Sequence, residues 1–429
     1  MAEALGISPS YLNFIERNQR PITAAVLLRL AERFDFDPRS LTGAAPGGGA
    51  EALRRRLADP LFADLSIDRS QLEEWIAAAP DGAEAFARAF DRGGAGGVAA
   101  SDPVDTVRRE IERWRNHFAD LDGAAEALAD ELRLGSGDVY AAMAERLRIK
   151  HQLSIRILPV DVMPDMLRRL DLHARQLQLS ELLDPASRSF AVASQLAMLE
   201  AKDEVEALVR GATFSERAPE RLFRRHLTSY FAAAVMMPYV RFLRACEATG
   251  YDTDLLQRRF GAGFEQVAHR LTTLQRVGAR GLPFFMIRID RAGQSSKRFA
   301  GASNAPLVES DARCPLWALH RAFDRPGEIV TQLVAVDDAR WFTFARTVQP
   351  QGARAGAIFA VGLGVEAKLA APLALARGVD LLNGQAQPIG LGCRTCALPD
   401  CPQRAHPPQG RVLVFNERER GMTPFSFAG

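Results

Sequence analysis

The spacing of apolar residues predicts helices in the first part of this chain and strands mainly in its last third. Residues 1–42 have a helical pattern that ends in a glycine-rich break at 43–50, and a second helical stretch reaches about Phe90. Another glycine-rich stretch, at 93–97, predicts a flexible linker or loop. The pattern therefore predicts two N-terminal segments, 1–42 and 43–100.

A third segment, 101–135, repeats its apolar residues at alternating steps of three and four. That spacing predicts a long bundle helix or a coiled-coil seam, with Ser101, Asp102 and Pro103 marking its start. Asp122-Gly123 interrupts the pattern, so the helix could break there into two. Packing onto its own chain and dimerisation both fit such a seam. The apolar positions are Val104, Val107, Ile111, Trp114, Phe118, Leu121, Ala125, Leu128 and Leu132.

Residues 138–250 are predicted to be mainly helical around one short strand at 153–159. After Gly281 the pattern becomes strand-like, and the region 258–418 is predicted to be an α+β or mostly β domain. The predicted strands there are 283–290, followed by an Ala292-Gly293 turn, and 328–335, 341–345 and 357–362.

The overall composition indicates a globular protein but does not identify its function. A length of 429 residues predicts about two to four domains. The apolar share of 47% and charged share of 25% are those of globular protein with real cores. No apolar run reaches the roughly 20 residues of a membrane span, and nothing at the N-terminus resembles a signal peptide, so we expect a cytoplasmic protein with no membrane partner. The net charge of +2 requires any contact with DNA to come from a local basic patch.

Three of the five cysteines, Cys393, Cys396 and Cys401, fall within nine positions. Cys-x₂-Cys lets two thiolates reach one ion from a tight turn, at about 2.3 Å for zinc. These residues are therefore predicted to hold Zn²⁺, with Cys314 or His406 as the fourth ligand. Four cysteines could instead hold an iron–sulfur centre. Free thiols in a proline-rich turn are the plain alternative, and disulfides are less expected in a cytoplasmic chain.

The first residues resemble helices two and three of a lambda-repressor-type helix-turn-helix, in the string Met1 to Arg17. Gly6 would end one helix, Ser8 would cap the next, and Pro9 would occupy its first position. Asparagine there can pair with adenine, and arginines can reach phosphates or guanine; a generic helical hairpin is the alternative. The resemblance implies a further helix upstream, so we expect the native start to precede Met1. The predicted DNA-contacting residues are Ser8, Ser10, Tyr11, Asn13, Arg17 and Arg20.

The segment 188–198 resembles the zinc-binding helix of metallopeptidase-like domains of the ImmA/IrrE type. Zinc chemistry there needs two histidines four residues apart and a glutamate base. This chain has Ser194, Gln195 and Met198 at those positions, and Leu227 replaces a further glutamate ligand. We therefore expect the shape of the domain without peptidase activity, and no catalytic residues.

The whole chain resembles the short-chain fatty acyl-CoA regulators of bacteria. These proteins contain, in this order, a lambda-repressor-like DNA-binding domain, a degenerate IrrE-like middle domain and a C-terminal domain with clustered cysteines. The resemblance implies a DNA-binding transcriptional regulator of acetyl- or propionyl-CoA metabolism, such as glyoxylate-cycle or methylcitrate genes, with an acyl-CoA effector. An operator with two half-sites would favour a homodimer, because each protomer would bind one of them. The competing interpretations are an iron–sulfur or redox-sensing transcription factor and a zinc metallopeptidase-type regulator.

An acyl-CoA effector presents phosphates, which need cations beside an apolar slot. Lys297 and Arg298 follow the strand 283–290 and its turn, where they could converge on phosphate. Phe284 and Phe285 lie on opposite faces of that strand, which would put one ring inward. A solvated Lys-Arg pair at a hairpin end is the alternative.

Overall fold

The computed structural model divides the chain into two compact units, residues 1–100 and 101–429. It describes the following residues: 2, 5, 7, 8, 12, 15, 22, 23, 26, 29, 49–57, 62, 65, 67–93, 102–134, 138–301, 303, 305–309, 314–349, 356–416, 418, 419, 421 and 423–427. No helix among those residues is both long enough and apolar enough to cross a membrane.

The N-terminal unit is helical where it is described. After the isolated positions up to Arg29, it contains α1 (Gly49–Leu57), α2 (Arg69–Ala78) and α3 (Pro80–Gly93). Asp68 caps α2 by accepting a hydrogen bond from the backbone N–H of Gln71, whose side chain accepts one in return from the Asp68 N–H. The three helices bury a small core made of Leu53, Leu72, Ala83 and Ala87.

The second unit begins with a series of helices, several of which start at an aspartate cap. Asp102 caps the first of them with Pro103 in its first turn, as the sequence predicts, and Asp184 and Asp252 cap two others. The helices are α4 (Pro103–Arg113), α5 (Ala119–Glu131), α6 (Val139–His151), α7 (Pro185–Glu200), α8 (Lys202–Gly211), α9 (Arg217–Met236), α10 (Tyr239–Thr249), α11 (Thr253–Phe260) and α12 (Phe264–Thr272).

The region 101–135 forms two helices, which the sequence allows, but the predicted breaking point at Asp122-Gly123 is wrong. The chain breaks at Trp114–Phe118, between α4 and α5, while Asp122 lies buried in the first turn of α5. Arg115 and Asn116 both have a φ of 51°, a left-handed conformation that ends a helix. The Asn116 side chain donates to Thr272 Oγ1 at 2.9 Å, 156 residues away, so a tertiary contact holds the break in place.

The apolar seam of this region is used mainly within the chain. Val107, Ile111, Phe118, Leu121, Ala125 and Leu128 all belong to the main core, whereas Val104 is 56% exposed and Trp114 is 38% exposed. Dimerisation through this region stays a prediction.

A three-stranded sheet lies among these helices. Its strands are β1 (Ser154–Leu158), β2 (Arg168–Asp171) and β3 (Gln176–Ser180), in the order β1-β3-β2, with β1 parallel and β2 antiparallel to β3. The sequence analysis predicts only the first of the three. The middle region is therefore α+β, as the IrrE-like interpretation requires.

The C-terminal region is built on a six-stranded sheet of order β5-β4-β8-β7-β6-β9. The β6–β9 pair is parallel and the other pairs are antiparallel. The described part of this region also contains two short α-helices, three 3₁₀ helices (Ala322–Asp324, Ala367–Leu369 and Ala374–Ala376) and a separate antiparallel strand pair, β10–β11. The elements are β4 (Phe285–Ile289), β5 (Ser295–Phe299), α13 (Pro306–Glu309), α14 (Ala318–Arg321), β6 (Val330–Val336), β7 (Ala339–Val348), β8 (Phe359–Glu366), β9 (Gln387–Pro388), β10 (Leu413–Val414) and β11 (Ser426–Phe427).

Both faces of this sheet are covered, which corrects the expectation that only one of two adjacent phenylalanines points inward. Phe284 belongs to the main core that the sheet shares with the helices, and Phe285 belongs to a second core on the opposite face. Both side chains are 0% exposed. The second core also contains Trp317, beside Cys314, and thereby supports the region of the cysteines.

Candidate functional site

Four of the five cysteines line one small cavity in the C-terminal region. Cys393, Cys396 and Cys401 come from the cysteine-rich turn, and Cys314 comes from the segment before α14. The cavity measures about 10 Å³, which is room for about one water-sized sphere. Within the described part of the chain, no group of three or more His, Cys, Asp or Glu side chains has the arrangement of a metal site. The structure therefore brings the four thiols together without displaying a metal centre.

Cys314, and not His406, accompanies the cluster. His406 is exposed and does not line the cavity. Burial raises the pKa of the Cys314 thiol, as do the nearby Cys396 and Cys401, while backbone N–H groups of Gly390 and Leu316 hydrogen-bond to it and act in the opposite direction. Such N–H donors would stabilise a thiolate. Cys314 therefore lies with the three cysteines of the turn and His406 does not, while the role of either as a metal ligand stays a prediction.

Arg404 organises the cysteine-rich turn. Its side chain is buried and donates to the carbonyl oxygens of Cys393, Cys396 and Leu398 at 3.0, 3.0 and 2.6 Å. The guanidinium lies 4.9 Å from the centre of the Phe427 ring. A fixed cation at this place would balance the negative charge of several thiolates. The spacing of the cysteines does not predict this role, although an arginine three positions after the last cysteine of the cluster is visible in the sequence.

Gly390 is also part of this site. A Cβ at this position would lie 2.5 Å from the Cys396 Sγ, closer than real contacts allow. Only glycine permits the backbone to approach the thiol so closely. Ala405 contributes another contact, since its backbone N–H points at the Cys393 Sγ at 3.5 Å.

The degenerate peptidase positions lie on α7 and α9. The Ser194 hydroxyl donates to the Phe190 carbonyl at 2.7 Å, and Gln195 is buried with its Oε1 lacking a hydrogen-bond partner among the described residues. Met198 is 38% exposed, and Leu227 is fully buried. A thioether and an amide cannot replace an imidazole ligand and a carboxylate base. These side chains do not supply the chemistry of a zinc peptidase.

A buried ion pair ties the first helices of the second unit to α12. Arg270 Nη2 lies 2.6 Å from Asp122 Oδ1, and the two side chains are 1% and 0% exposed. Tyr230 donates its hydroxyl to Asp122 Oδ2 at 2.7 Å, and His117 Nδ1 lies 3.2 Å from the same oxygen. Burial alone would raise the pKa of Asp122, but Arg270 and the hydrogen bonds lower it below its ordinary value. The carboxylate is therefore charged inside the core.

Most of the predicted DNA-contacting residues lie outside the described positions, namely Ser10, Tyr11, Asn13, Arg17 and Arg20. Ser8 is exposed, and its carbonyl accepts a hydrogen bond from the Leu12 N–H at 3.0 Å, as at the start of a helix. Leu5 and Val26 are buried, in line with a small helical core. The DNA-contacting roles stay predictions.

Lys297 and Arg298 lie on the edge strand β5. The Lys297 Nζ is 2.5 Å from Glu265 Oε1, and the same carboxylate also binds Arg288 at 3.0 Å. Arg298 Nη2 lies 3.7 Å from Asp105 Oδ1 on α4. The pair is therefore not simply solvated, since both cations face carboxylates. Phosphate binding by these residues would have to displace those carboxylates, and it stays a prediction.

Comparison with known sequences matches three parts of the chain to family profiles. Residues 1–41 match a helix-turn-helix, residues 149–272 match the IrrE N-terminal-like domain, and residues 273–425 match the C-terminal domain of the short-chain fatty acyl coenzyme A regulators. The order is that of the three regions described above.

Whole-length relatives carry the same arrangement. The chain is 35% identical to the HTH-type transcriptional regulator RamB of Mycobacterium tuberculosis, over 99% of this chain and 94% of the relative. It is 34% identical to the regulator PrpR of the same species, over 99% and 92%. A propionyl-CoA carboxylase regulator of Cereibacter sphaeroides is 34% identical, over 99% and 94%. A solved structure of a Mycobacterium tuberculosis transcriptional regulator superposes with a TM-score of 0.72 at 35% identity, covering 76% of this chain and 99% of that one.

A helix-turn-helix match, with relatives of the same architecture over the full length that are named transcriptional regulators, defines a transcriptional regulator of the helix-turn-helix class. Within that class, the chain belongs to the short-chain fatty acyl-CoA regulator family.

Proposed function

We propose that this chain binds operator DNA through residues 1–42 and regulates genes of acetyl- or propionyl-CoA metabolism in response to a short-chain acyl-CoA. The observation that carries the proposal is the collinear match of reader, IrrE-like middle and C-terminal domain to regulators that include one of propionyl-CoA carboxylase. Such a regulator works in the cytoplasm, where the chromosome lies, and it regulates without catalysing a reaction.

A homodimer fits this function because one reader helix alone gives weak specificity, whereas two half-sites add their contacts. Light scattering coupled to gel filtration tests this point. We expect twice the mass of the 47.0 kDa chain. A monomer that still binds its operator specifically would contradict the dimer.

The DNA-binding role of residues 1–42 is tested by sequencing the DNA that the protein retains from sheared genomic fragments. The full chain should enrich discrete sites upstream of acyl-CoA genes. A variant lacking residues 1–42 should enrich none and serves as the matched control. Enrichment of unrelated fragments by both proteins would refute the assignment.

We further propose that Cys314, Cys393, Cys396 and Cys401 hold a metal centre. Four thiols suit both zinc and an iron–sulfur cluster, and the buried Arg404 and the N–H donors of Gly390 and Ala405 would stabilise the negative charge of such a centre. When bound, zinc would stabilise the fold of this turn, whereas an iron–sulfur cluster would add redox or iron sensing. The second possibility gives the runner-up function, a redox-sensing transcription factor.

Metal analysis and an absorption spectrum of anaerobically purified protein distinguish the two. We expect one zinc per chain and no visible absorption, whereas a coloured, iron- and sulfide-containing protein would establish the runner-up. Cys314→Ser should lose the metal and His406→Ala should keep it. Protein that purifies without any metal would contradict the centre.

A further inference from the structure

A second and larger cavity lies in the middle of the second unit, away from the cysteines. It measures about 450 Å³, within the range of small-molecule sites. It lies where the N-termini of α6 and α7 and the C-terminus of α11 meet, beside strand β1. Its wall is formed by Asp138, Val139, Tyr140, Ile157, Pro185, Arg188, Ser189, Arg259, Phe260 and Gly261.

Arg188 places a guanidinium in the wall of this cavity. Its Nη2 donates to the Glu181 carbonyl at 3.0 Å, which fixes one side of the guanidinium. A guanidinium suits the oxygens of a carboxylate or phosphate, because its planar N–H groups match their geometry.

The charges around the cavity favour an anion. Arg188 and Arg259 supply two cations against one carboxylate, that of Asp138. That carboxylate is already occupied, because its Oδ1 accepts the backbone N–H groups of Tyr140 and Ala141 at 2.9 and 3.2 Å. The N-termini of α6 and α7 also lie here, but their caps, Asp138 and Asp184, already accept backbone N–H groups of the first turn.

Tyr140 and Phe260 add an aromatic side to the same wall. Tyr140 is close enough to Arg188 and Asp138 for both charges to act on its hydroxyl, whose pKa burial raises. The hydroxyl is therefore protonated and can donate a hydrogen bond. Val139 and Ile157 provide aliphatic surface, and Ile157 is 47% exposed. The cavity thus combines cations with apolar surface for the body of a ligand.

We propose that this cavity binds a small organic anion, in which a phosphate or carboxylate at Arg188 and Arg259 is joined to a short apolar or aromatic body. Identifying this anion with part of the acyl-CoA effector rests on the proposed function, whereas the site itself does not. Arg188 lies on α7, the helix that also carries the degenerate peptidase positions Ser194, Gln195 and Met198, so this helix would serve binding in place of catalysis.

Isothermal titration calorimetry on the full chain tests the site with three probes: propionyl-CoA, adenosine 3′,5′-bisphosphate and propionate. Arg188→Gln and Arg259→Gln should each weaken the binding of a bound probe by about tenfold or more, the usual effect of losing a hydrogen bond to a charged group. Arg258→Gln is the matched control. Arg258 is exposed, lies on the same helix as Arg259 and does not line the cavity.

Tyr140→Phe keeps the fold while removing only the hydroxyl, so it carries the test if Arg188→Gln does not fold. Like the arginine substitutions, Tyr140→Phe should weaken the binding of the probe. Lys297→Ala with Arg298→Ala tests the alternative location on β5. This double variant should keep its affinity if the cavity is the site, and it should lose affinity if the edge strand is the site.

The outcomes separate the two proposals. Undiminished binding of propionyl-CoA in the Arg188, Arg259 and Tyr140 variants would overturn the cavity and leave the proposed function intact. Arginine-dependent binding of the bisphosphate or of propionate, with no binding of propionyl-CoA, would support the cavity and overturn the effector. An equal loss in Arg258→Gln, or no binding of any probe to the unmodified chain, would overturn the cavity.

Discussion

Asp122→Asn tests how the buried ion pair holds the second unit together. The substitution keeps the size of the side chain and removes its charge, which leaves the Arg270 guanidinium, 1% exposed, without its carboxylate. The remaining acceptors of Arg270 are the Met237 carbonyl and the Thr273 hydroxyl, each at 3.0 Å. Neither is charged, so the cation would stay buried without a counter-charge.

Removing one partner of a buried pair costs about 3–5 kcal/mol, because the other charge remains desolvated. For a large domain, about 2 °C is lost per kcal/mol, so we expect a decrease in melting temperature of roughly 6–10 °C. Asp122→Asn combined with Arg270→Met removes both charges and should recover much of that loss. The recovery would show that the cost comes from the uncompensated cation and not from the altered shape.

Asp130→Asn is the matched control. Asp130 lies on the same helix and pairs with Arg241, but at the surface, with side chains 70% and 38% exposed. Exposed pairs are worth about 0–1 kcal/mol, so this variant should unfold almost like the unmodified chain. Urea unfolding followed by circular dichroism measures all four proteins. Equal free energies of unfolding for Asp122→Asn and Asp130→Asn would refute the reasoning.

Three further predictions concern the DNA-binding domain, the cysteines and the dependence of stability on pH. Asn13→Ala should weaken specific DNA binding by about 1–3 kcal/mol. Arg20→Ala should instead weaken binding to all DNA sequences alike and make the affinity less dependent on salt. If a gel-shift titration shows that Asn13→Ala loses specific and non-specific binding equally, Asn13 does not recognise a base. Cys396→Ala should lower the melting temperature, since structural zinc contributes about 10–16 kcal/mol in small zinc peptides, while His406→Ala should not; scanning calorimetry compares them, and unchanged melting of the cysteine variant would exclude a structural metal. Burial alone raises the pKa of Glu200, but hydrogen bonds from three basic neighbours lower it to about 2, below its ordinary 4.5. Its contribution to stability is therefore complete above the ordinary pKa and is lost as the pH falls toward the lowered one. The difference between Glu200→Gln and the unmodified chain should therefore shrink as the pH falls from about 5 to about 2 in urea titrations; a constant difference would contradict the pairing.

The sequence predicts those elements whose signals are local. The aspartate cap and proline at the start of α4 are local, and so are the alternating residues of β4, β6, β7 and β8. The break between α4 and α5 could not be predicted in this way. Arg115 and Asn116 take a left-handed backbone without being glycine, and the contact that fixes Asn116 comes from Thr272.

In the candidate site, too, the sequence predicts the local features and not the contacts between distant residues. The turn with Cys393, Cys396 and Cys401 is visible from spacing alone, but the approach of Cys314 depends on how the C-terminal sheet folds. Arg404 is visible in the sequence, but its role is not, because it binds backbone carbonyls that no residue pattern records. The strands β2 and β3 were missed because they are short and largely polar in sequence.

The central claim is that DNA binding and acyl-CoA binding are coupled in one chain. The most direct measurement is the affinity of the full chain for its selected operator, by fluorescence anisotropy at fixed salt, with and without saturating propionyl-CoA. Coupling between two sites is typically about 5- to 150-fold in affinity, so we expect a change of at least about fivefold, and none with propionate as the control. An operator affinity that is the same with and without propionyl-CoA would contradict the account.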